Sequence, residues 1–99
     1  MKMFWIFCNE SVAEDLMEIL DANGLDGYFV WKDVLCKDRK NGKTHWGDAI
    51  FPGKEWAFMV FCEECDVALL HERLAQLAEE PYIHQAGIKA FVAEAEKVL

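Results

Sequence analysis

The chain has one serine, Ser11, and no apolar run longer than the seven residues Trp56–Cys62. The first shortage counts against serine chemistry, because Ser11 stands where a helix needs a cap. The second excludes a membrane-spanning helix, which takes roughly 20 apolar residues in a row. Lys2 precedes the run Met3–Cys8, but Asn9-Glu10 ends it short of the apolar core of a secretory leader, about 7–15 residues long. A cytoplasmic location is therefore expected. Positive charge is also scarce: 10 Lys and Arg stand against 18 Asp and Glu, a net charge of −8. Contacts with nucleic-acid phosphates need a basic face that so acidic a body lacks. Gly42-Lys43-Thr44 resembles the end of a phosphate-binding loop, but Lys37 stands where the motif's first glycine belongs. No pair of carboxylates stands apart from the acidic helix faces, so no enzyme is indicated.

What the chain has in plenty is apolar side chains. Ala, Val, Ile, Leu, Met, Phe, Trp, Cys and Gly make up about 58% of it, against roughly 45–50% in an ordinary domain. That excludes a disordered chain. Ninety-nine residues make a single domain, residues 1–99. A domain of this size buries only about 60–70% of its unfolded surface, so the excess points to self-association. The charge is unevenly spread. Lys32, Lys37, Arg39, Lys40, Lys43 and Lys54 outnumber Asp33, Asp38 and Asp48, so residues 32–54 carry +3 while the remainder carries −11.

Periodicity gives the elements. Lys2–Cys8 reads as a strand apolar on both faces, with Met3, Trp5 and Phe7 on one and Phe4, Ile6 and Cys8 on the other. Ser11-Val-Ala-Glu14 forms a capping box for a helix over residues 11–23, stopped by Asn23-Gly24. Gly27–Cys36 and residues 54–62 read as strands. Asp66 is placed to cap a helix over 66–80 that Pro81 ends, and Gly87–Val92 reads as a fourth strand. The tail from Ala93 fits either a continued strand or a helical turn. The order β-α-β-β-α-β predicts an α+β, ferredoxin-like fold: an antiparallel sheet in the order four-one-three-two with two helices on one face. Residues 37–54 form a segment longer than the connections of compact domains, about 12–15 residues at most, and such segments are usually functional.

That topology sorts the chemistry. Cys8, Asn9, Cys36, His45 and His84 are expected at the end where strands one and two finish. Cys62-Glu-Glu-Cys65 falls at the opposite end, too far from the other cysteines to complete a four-ligand zinc site. Its thiols are expected to be buried or semi-buried. Cys36, His45 and His84 make an alternative metal set.

The residues resemble a family. Asn23-Gly-Leu-Asp-Gly27 after helix one, the strand Tyr28-Phe-Val-Trp-Lys-Asp-Val34 and the long polar segment are similar to the PII signalling proteins. Gly42-Lys-Thr-His45-Trp-Gly47 and Phe51-Pro52-Gly53 resemble the T-loop region of PII-like proteins, some linked to metal efflux or bicarbonate transport. The resemblance implies a homotrimer with its sheets around a threefold axis and its helices outside. It also implies ATP or ADP in clefts between subunits. The family's glycine-rich phosphate loop is replaced here by Glu80-Pro-Tyr-Ile-His-Gln-Ala-Gly87-Ile-Lys89, and its basic pair after strand four is absent.

The expected function is therefore a non-enzymatic PII-like regulator. It senses a small ligand at the inter-subunit cleft through Cys36, Lys37, Arg39, His84, Gly87 and Lys89. It signals through Lys40, Lys43, His45, Trp46 and Phe51 to a protein partner such as a transporter or enzyme. Trp46 is the expected partner anchor, unless it and Phe51 fold back to serve packing. The alternative is a metal-binding or metal-tolerance module, like the trimeric CutA proteins, that uses Cys36, His45 and His84.

Overall fold

The first strand decides the architecture. In the computed structural model, which describes residues 1–25, 27–36 and 54–99, β1 (Lys2–Asn9) alternates buried and half-buried side chains along its length. Phe4, Ile6 and Cys8 are buried on one side, while Met3, Trp5 and Phe7 stay half-buried on the other. An eight-residue strand apolar on both faces fits the centre of a sheet. It pairs antiparallel with β3 (Glu55–Cys62), from Lys2 opposite Cys62 to Asn9 opposite Glu55. On its other edge it pairs antiparallel with β4 (Ile88–Glu94), from Lys2 opposite Glu94 to Cys8 opposite Ile88. β2 (Tyr28–Val34) joins the far edge of β3, which completes the expected order β2-β3-β1-β4.

Helices α1 (Ala13–Ala22), α2 (Glu64–Ala78) and α3 (Pro81–Ala86) cover one face. Phe4, Ile6, Cys8, Phe58, Val60 and Cys62 of the sheet pack there against Val12, Leu16, Leu20, Leu70, Leu74 and Ile83. Leu16, Leu20 and Leu70 are fully buried, each stabilising the fold by about 1.5–3 kcal/mol relative to exposure. The end of α1 follows from its sequence. Gly24 takes the left-handed conformation (φ 73°), and Leu25 donates its N–H back to the Leu20 carbonyl at 2.8 Å. That closure satisfies a carbonyl the last turn would otherwise leave free.

Several boundaries differ from the sequence expectation. Helix one begins with a 3₁₀ turn over Glu10–Val12. Its donor is satisfied by Asn9, not by a Ser11 box: the Asn9 Oδ1 accepts both the Ser11 backbone N–H (3.0 Å) and its hydroxyl (2.8 Å). Asn9 can do this because it ends the strand in extended geometry (φ −67°, ψ 151°) with its side chain next to the following turn. The second helix starts at Glu64, and Asp66 sits inside its first turn, accepting the Glu63 N–H at 3.0 Å. Pro81 ends one helix and opens another. Residues 81–86 form α3, a third helix on the covered face, because proline suits a first helical position and Ile83 finds a place in the core. The strand reading of the tail holds as far as Glu94.

Candidate functional site

Two regions carry the features expected of a site: the uncovered face of the sheet and the end of the sheet where β1 and β2 finish.

The uncovered face is aromatic. The strand register sets Phe29, Met59, Trp5 and Phe91 in one row across all four strands, and Trp31, Ala57, Phe7 and Lys89 in the next. Trp5 stacks on Trp31 with centroids 5.5 Å apart, and on Phe7 at 6.0 Å with the rings 8° from parallel. Phe91 meets Phe7 edge-on at 6.2 Å, and Phe61 meets Phe29 at 6.3 Å. Phe91, Phe29 and Trp31 are 59%, 56% and 45% exposed, and neighbouring exposed aromatics of this kind mark an interaction surface. At its lower end a groove of about 370 Å³ runs between Met1, Phe29 and Phe61 and the tail residues Ala95–Lys97.

The second region gathers the ends of β1 and β2 and the starts of β3 and β4, since Asn9 and Val34 both lie opposite Glu55 and Cys8 lies opposite Ile88. Cys36 is half-buried two residues past β2. His84 is exposed on α3, and Gly87 (φ 86°) makes the turn from α3 into β4, its N–H reaching the Ile83 carbonyl at 2.7 Å. These three come to one end. Lys89 lies a residue further along β4, on the aromatic face beside Phe7, whereas Cys8 and Ile88 point to the helices. Lys37, Arg39, Lys40, Lys43, His45, Trp46 and Phe51 lie outside the described residues. Among the described residues no group of three or more His, Cys, Asp or Glu side chains could hold a metal ion.

The local electrostatics are set by burial. The pKa of Cys8 is pushed up to about 12, first by desolvation and then by the Glu55 carboxylate, so its thiol stays protonated at neutral pH. Lys54 is tied in twice. Its carbonyl accepts the Glu10 N–H at 2.8 Å, and its ammonium lies 3.9 Å from the Asp33 carboxylate. Asp33 itself takes a positive φ of 58° at a bulge in β2. Across from Cys8, Trp56 carries the Lys32 ammonium over its ring at 5.1 Å. The Trp56 Nε1 is shielded from solvent and has no hydrogen-bond partner among the described residues. Sequence reading gave Trp56 no role, and no signal in the sequence marks it, because an orphaned donor arises only from packing. It missed Tyr82 for the same reason: the Tyr82 hydroxyl donates to the Asp15 carboxylate at 3.0 Å, joining α3 to α1 across 67 positions.

At the opposite end Cys62 is buried, and burial, reinforced by Asp66 and Glu63, raises its pKa. Cys65 is exposed on the first turn of α2, not buried or semi-buried as expected. The strand-length separation of this pair from Cys8 holds, since Cys62 faces Lys2 while Cys8 faces Trp56.

A four-stranded antiparallel sheet in this order, with its helices on one face, defines the ferredoxin-like class. Within that class the fold is that of the PII-like nitrogen regulatory proteins. It is similar to CPII of Thiomonas intermedia K12 bound to ADP, AMP and bicarbonate (TM-score 0.72, 19% identity over 93% of this chain and 82% of that one). It is also similar to the apo form of the same protein (TM-score 0.67, 17% identity, 93% and 85% covered). A third likeness is to a PII-like signalling protein of Thermus thermophilus (TM-score 0.59, 22% identity, 93% and 83% covered). No protein-family model and no curated protein matches the sequence. No helix among the described residues is long and apolar enough to cross a membrane.

Proposed function

We propose that this chain is a non-enzymatic PII-like regulatory protein that works as a homotrimer. The observation that carries the reading is the aromatic face. Phe29, Trp31, Phe61 and Phe91 are left exposed by the single subunit, and a second layer of the same chain covers them at least cost when three sheets close around a common axis. The helices then face outward, and their acidic side chains keep the assembly soluble.

Closing the faces places the Cys36, His84 and Gly87 end of one subunit beside a neighbour. The cleft there takes a small ligand, sensed by Cys36, Lys37, Arg39, His84, Gly87 and Lys89. Residues 37–54 carry the response, through Lys40, Lys43, His45, Trp46 and Phe51, to a protein partner in the cytoplasm such as a transporter or enzyme. Support comes from the likeness to CPII, which binds ADP, AMP and bicarbonate. The short helix α3, held by Ile83 and by the Tyr82–Asp15 bond, shapes this cleft and lacks the backbone freedom that cradles a chain of phosphates.

Sedimentation equilibrium tests the assembly, and calorimetry with ADP, AMP and bicarbonate tests the cleft. A particle three times the 11.4 kDa chain mass and saturable heat with one of these ligands are expected. A monodisperse particle of one chain mass would sink the reading.

A further inference from the structure

We draw no further inference here: the strongest candidate, the groove between α2 and the edge strand β4 lined by Phe4, Val67, Ala68, His71, Ala90 and Val92, is a largely apolar surface, and nothing in the structure shows what covers it.

Discussion

Trp5 and Trp31 stack at 5.5 Å with 28° between their planes although β3 runs between their strands. Ala57 makes this possible. It sits on β3 directly opposite both Trp31 and Phe7, faces the same side, and is 4% exposed beneath the rings. One small residue on β3 lets the aromatics of the two flanking strands, β2 and β1, close over it.

Ala57→Leu should wedge the two indoles apart. Overpacking of this kind costs about 1–3 kcal/mol, read as a lower midpoint in urea unfolding. The near-ultraviolet circular dichroism of the stacked tryptophans should weaken along with it. An unchanged near-ultraviolet spectrum would mean that the rings have room to spare.

Trp31→Glu should dissolve the assembly and spare the subunit. Trp31 is 45% exposed in the single chain, so a charge there leaves the fold intact but cannot be buried between copies without a large desolvation cost. Sedimentation should give one chain mass with native far-ultraviolet dichroism. Retention of the wild-type mass would place the contact elsewhere.

Ile83→Ala should detach α3. Ile83 is 1% exposed and packs in the main core, and truncations of this type cost about 2–5 kcal/mol. Hydrogen exchange should rise at His84 and Gly87, whose amides bond within this helix and its exit. Loss of stability without faster exchange there would show that α3 is held mainly by Tyr82 and Asp15.

Alkaline pH should destabilise the fold through Cys8. Its folded pKa, about 12, lies above the ordinary 9.0, so the unfolded chain releases this proton first. The stabilisation is complete below pH 9 and is lost as pH rises from 9 towards 12, at no more than about 1.4 kcal/mol per pH unit. Lys2 and Tyr82, whose pKa values are also raised by their carboxylate partners, add the same sign. Cys8→Val isolates the thiol: its stability should fall less steeply over that range than the wild type's. Parallel slopes in the two proteins would refute the assignment.

Much of the fold was legible because the patterns are local. Met3 to Cys8 alternates between two apolar sets, and Asn23-Gly24 stops a helix for a reason contained in the backbone. The element order then leaves one common topology. The helix starts were less legible, because Asn9 and Asp66 cap from positions that depend on how the chain leaves a strand. Helix α3 was hidden by Pro81, which reads equally well as the end of one helix or the first residue of the next. Its deciding factor is the pocket that receives Ile83, made by residues far away in sequence.

By itself, the sequence determined the class of the protein: an acidic, apolar-rich single domain of β-α-β-β-α-β order whose surplus apolar surface predicts a partner copy. Tertiary structure alone decided which side chains share a face and which donors lack acceptors. Lys89 parts from His84 because strand alternation sends neighbours to opposite sides. The Trp56 N–H lacks an acceptor among the described residues because packing shields it without pairing it. Periodicity is written along the chain, whereas an unsatisfied hydrogen bond exists only once distant segments have closed around it.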